Sequence, residues 1–228
     1  MRKPKWTTKT WIEYLNHLLE IATGNEVSIS KGNGKMGEIP SVSLPAILTC
    51  VFCKCMEKCY GVRCEKLRKE VRNSYIRNLN ILNKNPESYW KQVKRAVALS
   101  RFFRFHVSGD IPTYEYLIKM VETARENPHC DILCFTKRHG WINKYIRENG
   151  DDPRIAFPEN LHILMSGWRD FPMDNPYKLP EAHVRFRDGY CEAREDAIEC
   201  FGNCTECTLA GCGCWKMKIG DQLVLNEH

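Results

Sequence analysis

Hydrophobic residues along this 228-residue chain recur in two rhythms. Ile12, Leu15, Leu18 and Leu19 repeat at helical spacing near the start, and Leu67, Val71, Tyr75, Leu79 and Leu82 do so over a longer stretch. Asn85-Pro86-Glu87 then offers an N-cap followed by a proline suited to a first helical turn, so a new helix starts there. Residues 113–126 carry Leu117, Ile118, Val121 and Ala124 on one helical face, and residues 141–148 form a shorter helix. Between these lie short apolar runs at 101–108, 131–137, 161–166 and 183–186, which read as strands. Val27-Ser28-Ile29 and Leu223-Val224-Leu225 bring the number to six. Strands alternating with helices predict an α/β fold with a parallel sheet, open or closed into a partial β/α barrel. Residues 1–26 read as an N-terminal helical extension, 27–190 as the β/α core and 191–228 as a Cys-rich C-terminal segment.

Composition adds little beyond permission. Hydrophobic residues make up 43% and charged residues 27%, so the chain can bury a core without covalent staples. No apolar run approaches the ~20 residues that span a bilayer, and the basic N-terminus leads into no signal-type apolar stretch. A reducing cytoplasm is the expected compartment, that of a bacterial host if the chain is phage-encoded, with no membrane partner. The net charge of +6 is a mild excess. Arg95, Arg101, Arg104, Lys137 and Arg138, interleaved with aromatics, offer weak support for nucleic-acid binding, without a known motif. Residues 30–37 form a basic, glycine-rich loop that lacks the residue order of a P-loop.

The thirteen cysteines change the picture. Cys50, Cys53, Cys55, Cys59 and Cys64 form one group ahead of a helix, and Cys200, Cys204, Cys207, Cys212 and Cys214 form another near the end. Disulfide-dense chains are mainly small and secreted, so metal ligation is the expectation here. Cys50, Cys55 and Cys59 are expected to hold one metal centre, and Cys200, Cys204, Cys207 and Cys214 a second. Iron in a 4Fe-4S cluster, one or two per chain, is favoured, with zinc as the alternative ion. Cys53, Cys64, Cys191, Cys212 and the terminal His228 have no assigned role. Cys130 and Cys134 read as core thiols.

The ends of the predicted strands carry the remaining chemistry. Ligands in parallel α/β sheets bind at the carboxyl ends of strands. There stand Ser108-Gly109-Asp110, then Lys137, then Ser166. Arg104, His106 and Ser108 are expected to share a face through strand alternation. The C-x3-C-x2-C spacing of Cys200, Cys204 and Cys207, together with the Ser108-Gly109-Asp110 turn, resembles radical S-adenosylmethionine enzymes. Two departures stand out: the spaced cysteines lie at the end of the chain, and Glu206 precedes the third of them in place of an aromatic. The first group is better placed, before the β/α region, but is spaced differently. The resemblance implies Ser108, Gly109 and Asp110 as cofactor-binding residues; the strand ends add Ser166 to that set and offer His106, Asp110 and Lys137 as catalytic candidates. It implies S-adenosylmethionine as cofactor, a reductant protein as partner, and a small molecule, nucleotide or peptide as substrate.

Several segments in order also resemble the phage gene-product-eighty-eight family. They include Ser30-Lys31-Gly32-Asn33, Ser43-Leu44-Pro45, residues 104–110, Phe135-Thr136-Lys137, Pro158-Glu159-Asn160-Leu161 and Gly202-Asn203-Cys204. That resemblance implies a cysteine-rich protein of phages, prophages and gut bacteria, and attaches no reaction to it. The competing expectations are an iron–sulfur enzyme, a zinc or iron–sulfur module that binds nucleic acid or a host protein, and an electron-transfer or redox protein.

Overall fold

The computed structural model describes residues 7–50, 55 and 58–227. Helix α1 (Thr8–Ile21) starts at Thr7, whose hydroxyl accepts from the Thr10 N–H in a reciprocal cap. Two short strands follow, β1 (Ile29–Ser30) and β2 (Ser41–Val42), then the single turn α2 (Ala46–Thr49). Helices α3 (Tyr60–Leu67) and α4 (Lys69–Lys84) meet at Arg68, whose extended backbone divides the long apolar repeat. Asn85 caps α5 (Pro86–Ala98) by accepting from Ser88 N–H, with Pro86 in the first turn as the sequence predicts.

The core then runs β3 (Phe102–Phe105), α6 (Tyr114–Glu126), β4 (Asp131–Thr136), α7 (His139–Glu148), α8 (Pro153–Ala156), β5 (Leu161–Ser166) and β6 (Glu181–Arg185). The tail contributes β7 (Ile198–Glu199), α9 (Cys204–Ala210), a 3-10 turn at Gly213–Trp215 and β8 (Gln222–Asn226). Among the described residues eight strands join one sheet in the order β1-β2-β3-β4-β5-β6-β8-β7. Of their pairings only β1–β2 is antiparallel. The expected mixed α/β fold with a mostly parallel sheet is therefore present. Strands β2 and β7, two residues each, are too short to show a period in the sequence. The Cys-rich tail supplies two strands of the same sheet.

Both faces of the sheet are covered, which is why its strands read as nearly continuous apolar runs. Along β4, Ile132 and Cys134 face the core formed with α4–α7, where Trp90, Leu117, Val121 and Ile146 are buried. Leu133 and Phe135 face the other way, toward Met36, Cys204 and Trp215. A third cluster, Trp11, Leu15, Ala46, Val62 and Ile76, joins α1 to α2–α4. Ala46, beyond β2, and Leu225, on β8, line a common cavity although five strand spacings separate β2 from β8, so the sheet curls toward the side away from α4–α7. No helix among the described residues is long and apolar enough to cross a membrane.

Candidate functional site at the carboxyl rim of the sheet

Strand β3 ends at Phe105, and the backbone turns left-handed at His106 (φ 60°). That turn breaks the expected alternation. Arg104 stays on the face opposite the helices, over the Phe135 ring at 4.7 Å. The His106 ring instead lies beside Phe105 and Tyr116, with centroids 6.0 and 5.4 Å away. It is buried, neither ring nitrogen has a hydrogen-bond partner, and burial lowers its pKa to about 3. The imidazole is neutral at physiological pH.

Residues 107–110 then wrap onto the segment after β2. Val107 and Ser108 N–H groups donate to Ser43 Oγ at 3.2 and 3.3 Å, and Leu44 N–H donates to Ser108 O at 3.1 Å. Gly109 has φ +85°, and a Cβ there would stand 2.6 Å from Leu44 O, so this turn accepts only glycine. Gly61, two residues after Cys59, serves a related purpose. A Cβ on it would stand 2.5 Å from Ser108 Oγ, so its bare backbone lets α3 close on the turn.

Asp110 is the knot of the rim. Its Oδ1 accepts from Thr136 Oγ1 at 2.6 Å and Ile111 N–H at 2.7 Å, and Oδ2 accepts from Lys137 N–H at 2.9 Å. Most of the acceptor capacity of one carboxylate is thereby used. Lys137 Nζ donates to Ser166 Oγ at 3.0 Å, linking the ends of β4 and β5. Arg138 donates to Thr49 O at 2.7 Å and Ile111 O at 2.9 Å, and lies over Trp141. Lys137 and Arg138, candidates for a nucleic-acid surface in the sequence, thus each turn side-chain donors into the rim.

Glu65 is the residue that sequence reasoning missed. On α3 it is fully buried, and its Oε1 accepts from Ala46 N–H at 2.7 Å and Ser108 Oγ at 2.9 Å. Its Oε2 is buried without a partner. Burial raises its carboxyl to about 7, against the opposing pull of those two hydrogen bonds and of Arg72. An acidic residue in an amphipathic helix ordinarily reads as solvent-facing, and nothing in its place two residues before the end of α3 marks it out in the sequence.

Cys50, Cys55, Cys59, Gly61, Ser108, Gly109, Asp110, Lys137 and Ser166 line a single cavity of about 340 Å³, together with Asn33, Lys35, Arg104, Phe135 and Trp168. This volume lies within the range of small-molecule sites. Cys50 is held well above the usual thiol range, first by burial and then by the charges of Asp110 and Cys59. Cys50 and Cys59 are free thiols and Cys55 is disulfide-bonded. Cys53 and His228 lie outside the described residues.

The second cysteine group packs on the sheet face away from α4–α7, the face whose Met36 and Phe135 also line the cavity. Asn203 caps α9, Gly211 ends it in a left-handed turn, and Cys204 N–H donates to Lys35 O at 2.9 Å. Cys207 is raised to about 11 and Cys214 to about 12, both chiefly by burial. Cys200, Cys204 and Cys207 all act electrostatically on Cys214, and Arg104 opposes them. Cys130 and Cys134 are buried in the core as expected. Eleven described cysteines are free, and no three His, Cys, Asp or Glu side chains among the described residues are assembled as a metal-holding group.

The chain matches Gene product 88 over residues 16–201. It belongs to that family of phage proteins. The matched span holds the rim, the first cysteine group and β1–β7, and stops before Cys204, Cys207, Cys212 and Cys214. No curated protein and no solved structure matches the chain.

Proposed function

We propose that this protein is an iron–sulfur enzyme with a partial β/α barrel, in which reduced Cys50, Cys55 and Cys59 hold a 4Fe-4S cluster beside an S-adenosylmethionine site. The observation that carries this reading is the sharing of one cavity by those three cysteines and the strand-end residues Ser108, Gly109, Asp110, Lys137 and Ser166. The donor set fits by its chemistry: three soft sulfur ligands suit iron, and one iron is left open for a cofactor. The geometry is not preassembled among the described residues. Metal binding would displace the protons that burial favours on Cys50.

When bound, such a cluster supplies the single electron that reductively cleaves the cofactor's carbon–sulfur bond. The chain's own residues bind and orient. Gly109 allows close backbone approach, Asp110 fixes the Lys137 segment, and Lys137 holds the Ser166 hydroxyl at the cavity wall. Phe135, Val107 and Trp168 limit water. His106 acts through packing against Tyr116 and as a neutral group. Cys200, Cys204, Cys207 and Cys214 would hold a second centre, iron–sulfur or zinc, and a reductant protein is the required partner.

Anaerobic protein reconstituted with iron and sulfide tests this. The expected result is a brown protein with broad absorption near ~400 nm that forms 5′-deoxyadenosine from S-adenosylmethionine once reduced. Colourless protein with stoichiometric zinc would replace the enzyme by a non-enzymatic metal module. A coloured protein that leaves the cofactor intact would leave electron transfer as the function.

A further inference from the structure

Arg104 is a cavity cation that the rim network among the described residues does not use. Arginine–carboxylate pairs among the described residues involve Arg154, Arg169, Arg185 and Arg194. Arg104 has none, its Nε is buried without a hydrogen-bond partner, and its guanidinium lies over Phe135. Lys35 lines the same cavity and is also without a carboxylate partner among the described residues, whereas Lys58 is paired with Glu227 at 3.0 Å and Lys137 with a neutral hydroxyl. A partly desolvated cation with no counter-charge is costly, and stacking on an aromatic ring offsets only part of that cost. The nearby glycine-rich loop cannot supply a backbone cradle instead. Its Lys35 and Met36 N–H groups both donate to Asn33 Oδ1 at 2.9 Å, and Asn33 and Gly37 pair with each other.

We infer that Arg104, assisted by Lys35, is the anchor of an anion-recognition subsite, and that the cavity takes a small organic substrate bearing a carboxylate or phosphate. The guanidinium presents a planar fork suited to either group, while Phe135 and Leu225 offer apolar wall to the rest of the molecule. The inference rests on the cavity being the ligand site proposed above and not on the presence of a cluster. S-adenosylmethionine carries a carboxylate of its own, so the same subsite chemistry has two sources.

Calorimetric titration of the anaerobically purified full chain separates them. The probes are succinate and glycerol phosphate, each with and without S-adenosylmethionine, and the decarboxylated form of that cofactor. At least one anion should bind the wild type both with and without the cofactor. R104Q should weaken it about tenfold or more, R104K by an intermediate factor because charge remains and the fork is lost, and K35Q about threefold. Added salt should weaken binding in the wild type more than in R104Q.

The inference is overturned if neither anion binds, or if R104Q and R104K, folded by their melting curves, bind as tightly as the wild type. It is also overturned if R104Q leaves anion binding unchanged but sheds metal from the C-terminal cysteines, since Arg104 would then be their counter-charge. If R104Q weakens S-adenosylmethionine but not its decarboxylated form, and the cofactor excludes both anions, the subsite serves the cofactor and the substrate assignment fails. Anion binding through Arg104 in a protein that never binds S-adenosylmethionine retires the cofactor reading and keeps the subsite.

Discussion

The two cysteine groups sit in opposite kinds of surroundings. Cys50, Cys55 and Cys59 border a cavity that they share with members of a polar network running from Thr49 through Asp110 and Thr136 to Ser166. Cys200, Cys204, Cys207 and Cys214 pack on an apolar sheet face with Met36, Leu133, Leu164 and Trp215, and their charged neighbours are Arg104 and Lys35. The contrast teaches that similar local thiol density can meet different surroundings. One group meets oriented polar atoms, as the proposed reaction site requires. The other meets packing, which suits the proposed second centre.

The largest effect tests whether the groups are independent. C59S should abolish the metal-dependent absorption and cofactor cleavage at the rim while metal in the C-terminal group persists, read by elemental analysis and electron paramagnetic resonance of reduced protein. C204S should do the reverse. Loss of all metal in both variants would mean that the two groups form one centre and would erase the comparison.

Next comes the polar wiring. D110A strips partners from Thr136 Oγ1 and from the Lys137 and Ile111 N–H groups in a buried site. Denaturant unfolding should show a loss of about 4 kcal/mol, from two or three buried groups left unsatisfied. A loss below about 1 kcal/mol would show that water replaces the carboxylate, and that the rim is less rigid than its bonds imply.

Glu65 gives the rim a pH dependence below neutrality, whereas the raised thiols Cys207 and Cys214 of the C-terminal group place theirs in the alkaline range. Burial raises its carboxyl from 4.5 to about 7, so the folded chain holds this proton more tightly than the unfolded chain. Its stabilising contribution is full below 4.5 and is lost as pH rises through about 7. E65Q keeps an acceptor for Ala46 and Ser108 without the ionisation. Relative to E65Q, the wild type should therefore lose about 3 kcal/mol over that window. Parallel pH profiles of the two proteins would refute the assignment.

The smallest effect belongs to Cys212, which is exposed beside Cys207. C212S should change stability by less than about 0.5 kcal/mol and leave the metal content unaltered. Metal loss in C212S would make Cys212 a ligand in place of one of the other four.

Much of this arrangement is legible in the chain itself. Strands β3, β4 and β5 announce themselves by apolar residues, and Ser108, Gly109, Asp110, Lys137 and Ser166 by following them, because strand ends in a parallel sheet share one rim. Other features hide for physical reasons. A two-residue strand has no period, so β2 and β7 leave no trace. The left-handed backbone at His106 reverses the side expected from alternation, and nothing in the neighbouring residues requires it. Glu65 looks like an ordinary solvated glutamate, since only packing against Ser108 and Ala46 reveals its burial. Cysteine spacing names the chemistry of the donors but not where folding carries them.

Lys58, beside Cys59, is held by Glu227 just past the last strand, and Glu227 also accepts from Arg187 N–H. The stretch of chain beyond β2 is thus clasped to the end of β8 by an ion pair instead of a ladder of amide bonds. Such a clasp is sensitive to salt, and it can slip without unravelling a strand. Two side chains that line the cavity are therefore joined by a contact whose strength depends on ionic strength.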